Sequence, residues 1–173
     1  MTRTIPMLAA IALIALTCSL AAPILRAADD GNVVASGGTM TPLDRVAATP
    51  KGELKNPYTD HVSAAADGHK KFFSAGCNGC HGGGGGGGIC PPLTNSVWVY
   101  GSDDDTLFRL IALGSVDLQK QGYERKQHEQ VTGPMPPFGT IIKTDDDLWK
   151  IIAWIRSINP SSLEPPKTQS SPQ

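Results

Sequence analysis

Two cysteines separated by two residues, and followed at once by a histidine, constrain this chain more than any other feature. The sequence Cys77-Asn78-Gly79-Cys80-His81 is typical of covalent haem attachment. The two thiols can each bond one vinyl group of a single porphyrin, and the adjacent histidine can then bind the iron. A fold built around one haem is therefore expected.

A cysteine pair at this spacing can also form a redox dithiol or half of a zinc site. Zinc would need further ligands, and downstream the chain offers only Cys90 and His128, which do not form a second pair. A thioredoxin-like dithiol would need a βαβ pattern, and the flanking sequence is not strand-like. The haem interpretation is favoured, and the dithiol and the zinc site are the alternatives.

The amino terminus has the outline of an export signal. Arg3 precedes an uncharged apolar run over 5–25, and small residues lead into the polar chain that follows. This order predicts a signal peptide over 1–28, with its cleavage site left open, and hence a periplasmic protein. An uncleaved membrane anchor is the alternative. Pro23 interrupts the run and favours cleavage, so no stable membrane insertion is expected.

The charge balance argues against two kinds of partner. The chain has 15 Lys and Arg against 16 Asp and Glu, a formal net charge of −1. Nucleic acid and anionic membrane surfaces select for an excess of positive charge. Neither is therefore expected as a partner.

The middle of the chain is predicted to form one small helical domain over 63–159, with 29–62 as an extended arm and 160–173 as a disordered tail. About one hundred residues suffice for one domain with a small core. Because no strand pattern matches the helical ones in strength, the predicted fold class is all-α.

Three helices are predicted within the domain, from apolar residues at three- and four-residue spacing after a polar or acidic start. The first runs over 64–75 after Ser63 as N-cap. The second follows the acidic triplet 103–105 and ends before Gly114, and the third begins after Thr144 as cap and ends before Asn159. The acidic triplets are interpreted as helix starts rather than metal sites.

A second iron ligand is sought among the methionines and the other histidines. Outside the predicted signal the chain has only Met40 and Met135, with His61, His69 and His128 as nitrogen alternatives. Met135 is favoured because three neighbouring prolines stiffen the backbone around it. The alternative is a methionine that fills a gap in the core.

Seven consecutive glycines, 82–88, follow the haem motif. Two interpretations stay open: a slack loop, or a surface without side chains that lets another protein approach the haem edge. Beyond the run, the Pro91 carbonyl is expected to accept the Nδ1 proton of His81, as partners of metal-bound histidines do. Cys90 is interpreted as a buried, inert thiol, with an intermolecular disulfide as the alternative.

These motifs together resemble class I cytochromes c. The similarity rests on the haem motif, on Pro91-x-Leu93, on the Met135 loop and on a final helix that contains Trp154. It implies a single class I cytochrome c domain with extended arms and one covalent haem c, bound through Cys77 and Cys80. The implied axial ligands of the iron are His81 and Met135.

The same resemblance implies that the first and last helices cross. In that family an aromatic residue of the last helix packs on the first, and here Trp154 would meet Gly68 and either Phe72 or Phe73. The sequence alone leaves the choice between the two phenylalanines open.

Three segments, 82–94, 97–109 and 133–137, are more specifically similar to the cytochrome c-L group, and the resemblance spans 64–158. Members of that group accept electrons from pyrroloquinoline-quinone (PQQ) alcohol dehydrogenases, and the likeness is greater to those paired with lanthanide-dependent methanol dehydrogenases. It implies a one-electron carrier rather than an enzyme, with a downstream cytochrome c or oxidase as acceptor. The alternatives are a general periplasmic carrier and a haem-based sensor or ligand binder.

Overall fold

A computed structural model describes residues 40–129 and 131–163, which all belong to the unit that spans 33–173. The predicted signal peptide 1–28, the arm before Met40 and the tail beyond 163 lie outside the described residues. The described part is helical and contains no strand, as expected for an all-α protein. None of its helices has the length and apolar character needed to cross a membrane.

Five α-helices and a final 3₁₀ helix form the described part. They are α1 (Pro42–Ala48), α2 (His61–Ser74), α3 (Asn78–His81), α4 (Asp104–Lys120), α5 (Asp145–Ile158) and the 3₁₀ helix Pro160–Leu163. The bounds of α5 agree with the prediction because the N-cap and the apolar spacing that predict this helix both lie in its own sequence. Thr144 caps it, accepting a hydrogen bond from Asp147 N at 3.1 Å, and the apolar spacing continues to its end.

Helices α2 and α5 come into close contact at Gly68. A Cβ atom there would lie 1.9 Å from the Lys150 carbonyl oxygen, so the crossing requires glycine. Next to it Phe72, 1% exposed, packs on Trp154 with ring centroids 4.4 Å apart. Phe73 is 46% exposed, so Phe72 is the core partner of Trp154.

Helix α2 begins earlier than its sequence pattern predicts. Asp60 is the N-cap, accepting a hydrogen bond from Val62 N at 3.1 Å. The predicted cap, Ser63, lies inside the helix and donates its hydroxyl proton to Asp60 O at 2.9 Å. Asp60 and Ser63 are both good caps, and His61 is consequently the first residue of α2 rather than part of an arm.

The prediction of an extended arm over 29–62 is wrong for the seven residues of α1. Val46, 7% exposed, joins the main core. Arg109, 3% exposed, donates from Nη2 to the carbonyls of Thr49 at 2.6 Å and Pro50 at 3.0 Å. These contacts are tertiary and leave no signal in the local pattern, yet they make the described part of the arm a component of the domain.

The start of the predicted tail is also ordered. Residues 160–163 form the 3₁₀ helix, and the buried Arg156 donates from Nη1 to Ser162 O at 2.6 Å. The contact extends the domain past Asn159, where the sequence pattern ends it.

Candidate haem-binding site

The two cysteines of the haem motif lie on one short helical turn directly after α2. Cys80 N and His81 N both donate to Cys77 O, at 3.2 and 3.0 Å, so the turn orients all three side chains together. Cys77 is 6% exposed and Cys80 is half-buried. Burial raises the pKa of the Cys77 thiol to about 11.

One nitrogen of the His81 imidazole is hydrogen-bonded to the backbone. Its Nδ1 lies 2.8 Å from the Pro91 carbonyl oxygen. Because a carbonyl oxygen only accepts, Nδ1 carries the proton, and the lone pair of Nε2 is left to bind a metal. The contact expected from the sequence is thus present, and the ligand role of His81 stays a prediction.

Met135 is held against a break in α4. At Gly114 φ is 74° and ψ is 167°, a conformation essentially restricted to glycine. A Cβ atom on Gly114 would lie 2.7 Å from Met135 O. Directly after the break, Ser115 N donates to Met135 O at 2.9 Å, and Met135 N donates to Ser115 Oγ at 3.0 Å. The break therefore supplies both backbone partners of the methionine.

The same break frees two carbonyls in the preceding turn. Phe138 N donates to Ile111 O at 2.9 Å, and Gly139 N donates to Ala112 O at 3.0 Å. In an unbroken helix these carbonyls would accept from residues four positions further on. The sequence prediction that a helix ends at Gly114 is correct for the first segment, but α4 resumes there and continues to Lys120.

Cys77, Cys80, His81 and Met135 line one cavity of about 410 Å³. A volume of this order suits a bound organic group. Much of the remaining wall is apolar, with contributions from Phe72, Leu93, Leu107, Ile111, Ile151 and Ile155. Two thiols, an imidazole and a thioether around an apolar cavity fit a haem attached through its vinyl groups.

A zinc site at the cysteine pair lacks the other ligands it would need. No group of three or more His, Cys, Asp or Glu side chains that could hold a metal ion occurs in 40–129 or 131–163. His128 is exposed, and it is not among the residues that line the cavity.

Comparison with known proteins agrees with this geometry. The family model for cytochrome c matches residues 65–159, more than half of the chain. The chain belongs to the cytochrome c family. Haem c is accordingly its cofactor, and the cytochrome c domain marks it as an electron-transfer protein.

One solved structure similar to this cytochrome is cytochrome cL from Hyphomicrobium denitrificans. The identity is 28% and the TM-score is 0.47, over 65% of this chain. The chain spans 60% of the length of that structure. No curated protein matches the sequence.

The glycine run of the cytochrome is packed rather than slack. Gly82 and Gly85 both have φ of 74°. A Cβ atom would lie 2.6 Å from Gly87 O at Gly82, and 2.6 Å from Ile158 Cδ1 at Gly85. Within the run, only positions 84 and 86 have open space for a side chain. Close packing therefore explains most of the glycines, and the interpretation as a docking surface stays a prediction.

Backbone hydrogen bonds close this segment on the haem motif. Gly87 N donates to His81 O at 2.9 Å, and Leu93 N donates to Gly85 O at 2.7 Å. These two bonds shape the loop so that the Pro91 carbonyl reaches the His81 imidazole. The loop thus determines the surroundings of His81.

Cys90 also lines the cavity. Its backbone N donates to Cys80 O at 3.2 Å, and its side chain is half-buried. Two effects raise the pKa of the Cys90 thiol to about 11: burial, which is the larger, and a hydrogen bond with the Cys80 thiol. A thiol that stays protonated at neutral pH is a weak nucleophile, which is compatible with an inert residue.

Sequence reasoning missed two residues that shape the site. Gly114 was treated as a helix end, although apolar residues on both of its sides were the available signal for a helix that resumes. The sequence indicates His69 only as an alternative iron ligand, but it is half-buried and its ring stacks on Trp154 with centroids 4.6 Å apart. Its neighbours come from distant parts of the chain, so no local pattern indicates them.

Proposed function

We propose that this cytochrome is a periplasmic one-electron carrier that accepts electrons from a PQQ-dependent alcohol dehydrogenase. It would pass them to a second cytochrome c or to an oxidase of the respiratory chain. The observation that carries the proposal is the meeting of Cys77, Cys80, His81 and Met135 in one cavity. When bound there, haem c supplies a reversible one-electron couple.

Each side chain has a distinct part in this proposal. Cys77 and Cys80 would bond the porphyrin, while His81 and Met135 would bind the iron. Pro91 would orient the imidazole through its carbonyl oxygen and strengthen it as a ligand. If His81 and Met135 both bind the iron, a small molecule would have no open site there, which favours a carrier over a sensor.

A patch of exposed apolar residues beside the cavity supports a docking role. This rim consists of Ile89, Val116, Pro134 and Pro136. Ile89 is 64% exposed and Val116 is 52% exposed. Thr132 Oγ1 donates to Ile89 O at 2.5 Å, which joins the loop after the glycine run to the Met135 loop. Exposed apolar residues of this kind suit a small, short-lived contact with a protein partner.

The class of dehydrogenase is proposed from the sequence. The segments 82–94, 97–109 and 133–137 resemble the cytochrome c-L group, and within it the cytochromes of lanthanide-dependent methanol dehydrogenases. The export signal predicted over 1–28 would place both proteins in the same compartment.

Stopped-flow mixing tests the partner directly. The ferric cytochrome is mixed with a substrate-reduced lanthanide-dependent methanol dehydrogenase, and in parallel with a calcium-dependent one. We expect faster haem reduction by the lanthanide enzyme. Slow reduction by both enzymes would contradict the proposed partner and favour a general carrier.

Two matched variants locate the contact. Gly86→Glu places a charge at a position of the glycine run that has open space, so the fold should be kept. Val62→Glu places the same charge at a 75% exposed residue in the first turn of α2, more than two turns before Phe72. We expect Gly86→Glu alone to slow reduction by the dehydrogenase. Equal rates for the two variants would exclude the glycine run from the docking surface.

A further inference from the structure

The ring of His69 is fixed from three sides. It stacks on Trp154, with centroids 4.6 Å apart and planes 17° apart, and meets Phe73 edge-on at 4.9 Å. Its Nε2 lies 2.8 Å from the carbonyl oxygen of Gly83. Because that oxygen only accepts, Nε2 carries a proton and donates it. An imidazole on α2 thereby binds the glycine run.

Within the described residues, this is the only side-chain hydrogen bond to the run 82–88. The Phe73 ring lies against the same glycine, since a Cβ atom on Gly83 would be 3.1 Å from Phe73 Cζ. A run of glycines loses much conformational entropy on folding, so a contact that holds it has a large effect on its order.

The glycine run 82–88, which His69 contacts, directly follows the proposed iron ligand His81 in the chain. Gly83 is two residues from His81, and the run returns to that histidine through the bond from Gly87 N to His81 O. The segment then continues through Pro91, whose carbonyl accepts from His81 Nδ1. Motion of the run would therefore displace Pro91 and weaken the hydrogen bond between its carbonyl and the His81 imidazole.

We propose that His69 is a positioning residue for the His81–Pro91 hydrogen bond, acting through Gly83, and that it thereby helps to set the reduction potential. A hydrogen bond from Nδ1 makes an imidazole a stronger donor to iron, which favours the ferric state. Loss of His69 weakens that bond and raises the potential. The proposal rests on His81 as an iron ligand, but not on the identity of the dehydrogenase.

The test uses three variants of the holoprotein: His69→Ala, His69→Gln and His61→Ala. Alanine removes both the stacking and the donor, whereas glutamine keeps an N–H donor. His61 is a half-buried histidine on the same helix, about two turns before His69, and serves as the matched control. Each protein is studied by redox titration and by NMR exchange of the His81 Nδ1 proton in the reduced state.

We expect His69→Ala to raise the potential and to speed exchange of the His81 proton by about five- to tenfold, the effect of one lost hydrogen bond. His69→Gln should fall between His69→Ala and the wild type, and His61→Ala should match the wild type. A merely structural role would speed exchange equally at backbone amides throughout α2 and α5. That uniform pattern, or an unchanged potential and exchange rate in His69→Ala, would overturn the proposal. All readouts use the cytochrome alone, so failure of the dehydrogenase pairing would leave them unaffected.

Discussion

Hydrogen bonds of its own backbone hold Met135 in place, independently of any bond to iron. Both its N–H and its carbonyl are bonded to Ser115, and prolines flank it on both sides. A thioether is a weak ligand, so a rigid loop favours its binding. The side chain packs against the core and lines the cavity, and its ligand role is a prediction that a substitution tests.

A Met135→Ala variant should lower the reduction potential and open the sixth position of the iron, since thioether ligation raises the potential. Redox titration and carbon monoxide binding by the reduced protein measure the two effects. Met40→Ala is the control, because Met40 is the other methionine outside the predicted signal. If Met135→Ala bound carbon monoxide no faster than the wild type, the assigned ligand would be wrong.

Asp105 is the acidic centre of the contact between the arm and α4. It is 2% exposed and accepts hydrogen bonds from Arg109 Nε at 3.0 and 3.1 Å, and one from the Tyr123 hydroxyl. Burial acts to raise the pKa of Asp105, but the bonds from Tyr123 and Arg109 outweigh it and lower the pKa below 3.8. Its stabilising effect is therefore fully present at neutral pH, well above the ordinary pKa of an aspartate, and is lost as the pH falls through the lowered pKa.

A Tyr123→Phe variant should lower the free energy of unfolding at neutral pH by about 1–2 kcal/mol, because a charged acceptor loses one donor. The folded-state pKa of Asp105 then rises towards its unfolded value, so acid unfolding should begin at higher pH than in the wild type. Urea unfolding at a series of pH values measures both effects. An acid transition at the wild-type pH would show that Tyr123 does not stabilise the carboxylate.

At the scale of elements, α4 depends on its break at Gly114. A Gly114→Ala variant should lose about 1–3 kcal/mol of stability from backbone strain alone, with a further loss from the contact with Met135 O. It should also displace the Met135 loop. Gly84→Ala, at a position with open space, is the control and should change stability by no more than about 0.5 kcal/mol. Urea unfolding and the ferric absorption spectrum are the measurements, and equal behaviour of the two variants would refute this role of the break.

The elements differ in how well the sequence predicts them, for physical reasons. Helix α5 is predicted because its cap and its apolar spacing are local. The second segment of α4 is not, because a glycine normally ends a helix and here the loop that contains Met135 completes it. Helix α1 has one local signal, the Thr41 cap followed by Pro42, but so short a helix depends on the contacts with Arg109 and the core, which the local pattern does not show.

The site shows the same division between local and tertiary information. Cys77, Cys80 and His81 are identified by their spacing, and Met135 by the prolines around it. The contact of His69 with Gly83 joins residues fourteen positions apart through a loop of glycines, whose conformation no propensity determines. The sequence thus predicts the groups that would hold the haem and the contact between His81 and Pro91, but not the contacts made at Gly83 and Gly114.

At the scale of the whole molecule, the described arm belongs to the domain. Val46→Asp should lower stability by about 3 kcal/mol, because it buries a charge in the main core. The matched variant Ala47→Asp places the same charge on the exposed face of α1 and should have little effect. Thermal unfolding of the two holoproteins measures the difference. Equal melting temperatures would mean that the arm is not part of the cooperative unit.

The proposed electron carrier depends on one haem in the cavity, with His81 and Met135 as the ligands of its iron. Near-infrared magnetic circular dichroism of the ferric protein identifies these ligands, because the spectrum distinguishes pairs of axial ligands. We expect the signature of histidine–methionine ligation. A signature of two histidines, or of histidine and water, would show that the proposed ligand pair is wrong.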